Sequence, residues 1–378
     1  MLEIFLLFIL IILLLHYAVF LFDILKGLKK LNYSEPKNVS DENISIIIPF
    51  RNESVNILES LKSLEKLDYP KGKFEVIYVN DSSDDDSLEK ITGAFKSDNI
   101  KIVSVPQNFS LNAHKKRAVR FGIENSKGSI IFTTDADCIH RPDWLKNMMN
   151  CFEGSTGFVS GPVEFYDDKS VWGNIQKAEF AGLVLTGAGL IGNNRPIICN
   201  AANIAYRRSA YESVDGFSDN MNFSSGDDEF LMQKIWKETS YTIKFCLNRE
   251  AVVMTGSNKT FGQFYHQRKR WASKGLFYED KFLVIKLILI FLFYLSLAIL
   301  PFLAVFISIK YFLIFALCIV VKIFLEYKIL STGSKMLFSK EILKNFFLAE
   351  LLQIPYIIIA GLSGIFGNIT WKERKVKR

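Results

Sequence analysis

Hydrophobic residues are concentrated at the two ends of this chain, and shorter hydrophobic runs separated by polar segments occupy the middle. Residues 5–22 are nearly uncharged and rich in Leu, Ile and Phe, and a run of this length approaches what a bilayer span requires. No basic segment precedes the run and no small-residue cleavage site follows it, so we predict a retained anchor rather than a signal peptide. Further candidate spans lie near the C-terminus, at 282–307, 311–325 and 346–369.

The middle of the chain alternates between short apolar runs and amphipathic segments, which predicts an α/β domain. Because the apolar runs show little polar alternation, we expect a mostly parallel sheet with helices on both faces. Strands are expected at 44–49, 74–79, 100–105, 129–134, 157–163 and 204–207, and helices at 55–67, 88–95, 115–124 and 227–239. The region 157–256 is otherwise less regular.

Five segments follow from this pattern. We predict an N-terminal transmembrane anchor at 1–25, a linker at 26–43, the α/β domain at 44–280, C-terminal membrane helices at 281–370 and a basic tail at 371–378.

The charges beside the apolar runs predict the orientation in the membrane. Lys26, Lys29 and Lys30 follow the anchor directly, so the positive-inside rule places the α/β domain on the cytoplasmic side of the cell (inner) membrane. Three full crossings after that domain would leave the basic tail on the opposite side. Either one segment does not cross fully or the tail violates the rule. The last segment carries Glu350 and Gln353 and is a candidate for a re-entrant or protein-buried segment.

Composition narrows the class of protein. The five cysteines are scattered without a C-x-x-C pair, which argues against a disulfide framework or a zinc site and fits a reducing compartment. The net charge of +7 is modest and indicates no nucleic-acid partner. Basic residues near the apolar runs are expected to meet anionic lipid instead.

Two carboxylates follow the predicted strand at 129–134. Asp135 and Asp137 are spaced i and i+2, and strand tips in open α/β sheets are where ligands bind. Hard oxygen donors at this position suit a Mg²⁺ or Mn²⁺ ion that bridges a diphosphate. The tripeptide alone also occurs in turns and helix caps, so the assignment depends on its surroundings.

Other polar motifs accompany this pair, and each also has a structural interpretation. The P-F-R-N-E segment at 49–53 and the N-D-S-S segment at 80–83 could contact a nucleotide or could form ordinary loops and caps. The basic cluster at 114–117 suits a diphosphate or a solvated helix face. Asp227 and Asp228, after Gly226, suit a general base or a favourable helix N-terminus. The Q-R-K-R-W segment at 267–271 suits a leaving-group site or a membrane-surface patch.

The order P-F-R-N-E, N-D-S-S, K-x-x-A, T-D-A-D, G-D-D-E-F-L and Q-R-K-R-W resembles the membrane-bound family 2 glycosyltransferases with a GT-A fold. The resemblance covers about residues 44–275. It implies a Rossmann-like α/β fold and an inverting hexosyltransferase that uses a nucleotide sugar, with a UDP-sugar preferred.

The resemblance also implies roles for individual residues. Donor binding would involve Pro49, Arg51, Glu53, Asp81, Lys115, Asp135 and Asp137. Asp137 would bind the metal directly, and Asp135 would contact the ribose or the metal. Asp228 would be the general base and Arg270 would stabilise the departing diphosphate. The acceptor side would include Asn203, Asp227, Gln267 and Trp271, with Asp227 standing where the family has glutamate.

The acceptor stays open at this stage. Q-x-x-R-W is common among processive synthases, which favours a polysaccharide, whereas the small number of membrane segments favours a lipid or lipid-linked acceptor. A non-catalytic membrane scaffold or transporter is the alternative from another class; transporters typically carry paired charges inside their spans.

Overall fold

The strands of the α/β domain pair into one seven-stranded sheet of order β3-β2-β1-β4-β7-β5-β8. The structure, a computed structural model, describes residues 1–33, 41–95, 97–109, 114–217, 226–367, 369–371 and 374–376. The strands are β1 Ile44–Phe50, β2 Phe74–Asn80, β3 Ile100–Ser104, β4 Ile130–Thr133, β5 Thr156–Ser160, β6 Val163–Phe165, β7 Ile204–Arg207, β8 Thr242–Phe245, β9 Val253–Thr255, β10 Ile369–Trp371 and β11 Arg374–Val376.

The sheet is parallel in its first half and mixed in its second. Strands β3, β2, β1 and β4 run parallel, whereas β7 is antiparallel to both β4 and β5, and β8 is parallel to β5. Two small sheets pair β6 with β9 and β10 with β11. The strand expected at 157–163 is two strands, because the chain leaves the main sheet after Ser160.

Helices cover both faces of the main sheet, as expected. Their bounds are α1 Leu2–Leu28, α2 Ile57–Glu65, α3 Ser87–Thr92, α4 His114–Glu124, α5 Trp144–Met149, α6 Val171–Gly192, α7 Arg208–Ser213, α8 Asp227–Glu238, α9 Phe261–Ala272, α10 Lys281–Phe306, α11 Lys310–Met336 and α12 Phe346–Phe366. Ile47, Ile77 and Ile131 pack into a core with α1 and α4, whereas Ile46 and Tyr78 pack with α2 and α5 on the other face. The expected α/β architecture, a mostly parallel sheet with helices on both faces, is therefore confirmed.

Helix α6 is the main element that the sequence pattern did not predict. From residue 180 to its end it is apolar apart from Thr186, and it packs between the sheet and the helices α1, α11 and α12. Such a run shows no amphipathic stripe, so its periodicity was hidden.

Among the described residues, three helices are long and apolar enough to cross a membrane: α1 from Glu3, α10 and α12. Helix α11 contains the segment 311–325 that was expected to span. It is not among these three helices, and its apolar stretch carries the charges of Lys322 and Glu326.

Candidate active site

The two carboxylates after β4 lie at the carboxyl edge of the parallel half of the sheet. Asp135 forms an ion pair with Lys115, whose Nζ lies 2.6 Å from Asp135 Oδ1. Asp137 lies across from β9, where the hydroxyl of Thr255 donates to its Oδ2 at 3.3 Å. Both carboxylates are partly exposed to one cavity, so they remain accessible to a ligand.

Three basic side chains of helix α4 lie in three different environments. Lys115 reaches Asp135, whereas Arg117 lies 3.3 Å from the carboxylate of Asp81. Lys116 is buried with its ammonium 5.5 Å from the centre of the Phe230 ring. Successive residues on a helix point about 100° apart, so of these three only Lys115 faces the carboxylate pair.

The loops after β1 and β2 are tied to each other. Arg51 is buried and donates to the backbone oxygens of Asp81, at 3.0 Å, and of Ser82. The backbone N–H of Glu53 donates to the Ser87 hydroxyl at 2.7 Å. Pro49 lies inside β1, paired with Val79. Arg51 therefore sets the relative position of the two loops that the sequence analysis assigned to the donor.

Helix α8 begins after Gly226, whose φ of +82° is a left-handed conformation. An added Cβ at this glycine would lie 2.6 Å from the Phe230 ring. The carboxylate of Asp228 accepts the backbone N–H groups of Ala201 and Glu229, each at 2.8 Å. These bonds hold the Asp228 carboxylate in one orientation at the cavity wall. The side chain of Asp227 lies outside the described part of the chain.

A buried cluster beside Asp228 was not foreseen. Glu229 pairs with Lys274 at 2.8 Å and accepts the hydroxyl of Tyr278 at 2.7 Å. Burial raises the pKa of Glu229, and the charge of Asp228 adds to this effect, whereas Lys274 opposes it. The three residues come from α8 and from the turn after α9, so no local spacing in the sequence indicates their contact.

Helix α9 carries the Q-R-K-R-W motif along the cavity. Gln267 accepts from the Asn258 amide at 2.9 Å, and Trp271 stacks against Phe180 with ring centres 6.1 Å apart. Gln267, Arg270 and Trp271 all line the cavity. The intervening Arg268 lines the same cavity. It forms a buried ion pair with Glu179, donates to the Gln267 carbonyl oxygen and lies 4.4 Å from the centre of the Trp271 ring.

Asn203 is fully buried. Its amide donates to the backbone oxygens of Pro162 and Ala251, at 2.7 and 2.9 Å, and its carbonyl accepts Trp144 Nε1 at 2.9 Å. All of its hydrogen-bonding groups are thus used to join neighbouring segments of the domain.

One cavity of about 640 Å³ joins the site to the apolar helices. Seven of the predicted site residues line it: Lys115, Asp135, Asp137, Asp228, Gln267, Arg270 and Trp271. Among the described residues, its wall does not include Pro49, Arg51, Glu53, Asp81 or Asn203. Its apolar side is formed by residues of α1, α6, α10 and α12, including Leu21, Ile288, Phe291 and Ile357.

The donor set at Asp135 and Asp137 fits a divalent cation that also binds a diphosphate. Mg²⁺ typically takes one or two protein carboxylates and completes its shell with water and phosphate oxygens. No group of three or more His, Cys, Asp or Glu side chains that could hold a metal occurs in the described residues. The carboxylate pair therefore suits a substrate-shared ion better than an all-protein cage.

The α/β fold of this domain is of the GT-A type. Residues 45–215 match the model of Glycosyl transferase family 2. The chain therefore contains a glycosyl transferase family 2 domain, and the enzyme class expected from the sequence, a glycosyltransferase, is confirmed for that domain.

Several proteins of known name are similar to parts of the chain. A poly-beta-1,6-N-acetyl-D-glucosamine synthase of Staphylococcus epidermidis is 25% identical over 244 residues, 62% of this chain and 55% of that protein. Glycosyltransferase AglE of Haloferax volcanii is 34% identical over 125 residues, 32% of this chain and 40% of that protein. An undecaprenyl-phosphate 4-deoxy-4-formamido-L-arabinose transferase of Pseudomonas aeruginosa is 29% identical over 131 residues, 34% of this chain and 38% of that protein. The matches span about half or less of each relative's length.

A solved structure supports the fold along nearly the whole chain. Mannosyltransferase PcManGT from Pyrobaculum calidifontis, in complex with GDP-Man and Mn²⁺, superposes with a TM-score of 0.58 at 19% identity, covering 94% of this chain and 97% of that one.

Proposed function

We propose that this protein is an inverting glycosyltransferase that moves a sugar from a nucleotide-sugar donor to a lipid or lipid-linked acceptor at the cytoplasmic face of the cell membrane. A UDP-sugar is the first candidate donor. The observation that carries the proposal is the single cavity that joins Asp135, Asp137, Asp228 and Arg270 to apolar residues of α1, α10 and α12. An acceptor held in the bilayer could enter such a cavity without leaving the membrane.

The donor would bind at the carboxyl edge of β1, β2 and β4. Asp135 and Asp137 would hold Mg²⁺ or Mn²⁺, which when bound neutralises charge on the diphosphate. PcManGT, the structural neighbour, is described with Mn²⁺ and GDP-Man. Lys115, which now pairs with Asp135, would exchange that carboxylate for a phosphate oxygen when the donor binds.

Transfer then requires a base and a stabilised leaving group. The carboxylate of Asp228 takes the proton of the acceptor hydroxyl as its oxygen bonds to the anomeric carbon. The bond from that carbon to the diphosphate oxygen breaks, and the electron pair leaves with the diphosphate. The guanidinium of Arg270, on the same cavity wall, stabilises the charge that develops there. Attack opposite the leaving group inverts the configuration.

Membrane insertion through α1, α10 and α12 is part of the proposal. Lys26 lies in the last turn of α1, and Lys29 and Lys30 follow the helix, which favours a cytoplasmic catalytic domain. The undecaprenyl-phosphate transferase of Pseudomonas aeruginosa supports a lipid acceptor. The polymer synthase of Staphylococcus epidermidis supports a second candidate, a subunit of a processive polysaccharide synthase.

A donor panel tests the proposal. Purified, detergent-solubilised protein is incubated with UDP-, GDP- and dTDP-sugars, with Mn²⁺, Mg²⁺ or chelator, and with membrane lipid extract as acceptor. We expect metal-dependent consumption of one donor and a glycosylated lipid in the product. A polymeric product would favour the second candidate. If protein shown to be folded neither turns over nor binds any donor, both candidate functions are overturned.

A further inference from the structure

Helices α1, α10, α11 and α12 contribute polar side chains to one group that is buried or partly buried, which we call the bundle polar cluster. Its members are Tyr17 of α1, Tyr294 of α10, Lys322 and Glu326 of α11, and Glu350 and Gln353 of α12. Lys322 Nζ lies 3.1 Å from Glu326 and 2.6 Å from the Gln353 carbonyl oxygen, and it also pairs with Glu350. The hydroxyls of Tyr17 and Tyr294 are 2.9 Å apart, and Tyr17 donates to Glu326.

The cluster forms part of the wall of the cavity that contains the candidate active site. Tyr17, Tyr294, Glu326, Glu350 and Gln353 all line that cavity. Lys322 is only 1% exposed and lies behind them, where it neutralises part of their charge. The cavity therefore presents two hydroxyls, two carboxyl groups and an amide to whatever enters between the helices.

The chemistry of these groups discriminates among possible occupants. A hydrocarbon chain gains nothing from them, since desolvating polar groups against it costs free energy. A phosphate would meet two carboxyl groups, and the single ammonium lies behind them and is already paired. Sugar hydroxyls both donate and accept, so they can bond with carboxylates, tyrosines and an amide at once.

We propose that the bundle polar cluster is a binding subsite for the hydroxyl groups of a sugar already attached to the acceptor. The inference rests on the proposed function and sharpens it: the acceptor is a lipid-linked glycan rather than a bare lipid phosphate. Helix α1 contributes Tyr17, so the anchor helps to form the acceptor site.

Ligands that share one chain and differ in the head group test this inference. Full-length protein in phosphatidylcholine nanodiscs is titrated with radiolabelled decyl β-glucoside and with decyl phosphate, and empty nanodiscs supply the partition background. We expect the glucoside to bind at least about tenfold more tightly, the equivalent of one well-made hydrogen bond to a charged group. Glu326→Gln and Tyr294→Phe should each weaken glucoside binding several-fold and leave decyl phosphate binding unchanged or stronger.

Head-group selectivity separates a binding role from a structural one. Equal binding of the two ligands by the wild-type protein, or equal loss of both in each variant, would overturn the inference. Glu341→Gln, in the segment between α11 and α12 with a 38% exposed side chain, is the matched control and should keep the wild-type selectivity. Donor consumption is measured on the same preparations. If the donor is consumed but there is no selectivity, only this inference fails; if no donor is consumed, the proposed function itself fails.

Discussion

The guanidinium of Arg268 forms a two-point ion pair with the carboxylate of Glu179, with Nε 3.0 Å from Oε1. The two side chains are 4% and 6% exposed. Tyr356 of α12 donates its hydroxyl to the same carboxylate at 2.7 Å. Because Arg268 stands between Gln267 and Arg270 on α9, this pair sets the position of the site helix relative to α6 and α12.

Removing the Glu179 carboxylate should destabilise the protein strongly. Glu179→Gln leaves the Arg268 charge buried without its partner, and we expect a loss of about 3–5 kcal/mol in the free energy of unfolding. Denaturant unfolding in detergent measures it. Glu250→Gln is the matched control, because Glu250 pairs with Arg141 at 3.4 Å with both side chains about half exposed, and about 0–1 kcal/mol is expected there. Equal losses in the two variants would contradict this account.

Replacing the proposed base should separate donor binding from transfer. Asp228→Asn preserves the size of the side chain and an oxygen for the N–H of Ala201, but an amide cannot take the acceptor proton. We expect the transfer rate to fall by about 10²–10⁴-fold with the donor dissociation constant nearly unchanged. Glu238→Gln, exposed at the end of the same helix, serves as the control. Wild-type turnover in Asp228→Asn would show that another group is the base.

Metal binding should depend on the carboxylate pair. Asp137→Asn removes one of two charged oxygen donors, so we expect Mn²⁺ binding in the presence of nucleoside diphosphate to weaken at least about tenfold. Calorimetric titration measures this directly and does not require turnover. Asp143→Asn, on the loop before α5, provides a carboxylate control. Equal Mn²⁺ affinity in Asp137→Asn and the wild type would rule out this metal site.

Acidification should destabilise the domain through His140. Burial lowers the pKa of His140 to about 3, whereas an unfolded chain protonates its imidazole near pH 6.5, roughly the ordinary value. Stability from this group is therefore full above about pH 6.5 and falls by about 1.4 kcal/mol for each pH unit below it, down to about pH 3. Between pH 6.5 and 5 we expect a loss of about 2 kcal/mol in the wild type. His140→Asn should remove this part of the slope, and identical pH profiles for the two proteins would refute the assignment.

Close contact between α1 and α6 should not tolerate a side chain at Gly27. An added Cβ would lie 1.7 Å from the backbone oxygen of Gly189, so Gly27→Ala must push the anchor helix away from α6. We expect a lower melting temperature and faster proteolysis between the anchor and the domain. Gly182→Ala, also on α6 but with nothing within 4 Å of the added Cβ, should be neutral or stabilising by up to about 1 kcal/mol from helix propensity. The test is whether Gly27→Ala has a lower melting temperature than Gly182→Ala.

Local patterns in the sequence were sufficient for the first half of the fold. Each of the strands β1 to β4 is a short apolar run ended by polar residues, and the carboxyl edge of a parallel sheet brings such ends together. The sequence alone therefore predicted the carboxylate pair Asp135 and Asp137 after β4 and the succession of helices and strands along the chain up to β4, and its motifs indicated the class of enzyme through their resemblance to a known family. These features depend on residues close in the chain, whose spacing is visible.

Tertiary structure decided what distant residues do together. Nothing in local spacing shows that β7 inserts antiparallel between β4 and β5, or that Arg268 pairs with Glu179. Lys322 and Glu350 are 28 positions apart, yet they are joined inside the helix bundle. Helix α6 was hidden because its apolar residues form no stripe along one face. Such partners are chosen by packing, since a buried charge is stable only beside its counterpart, and only the folded chain shows which counterpart lies within reach.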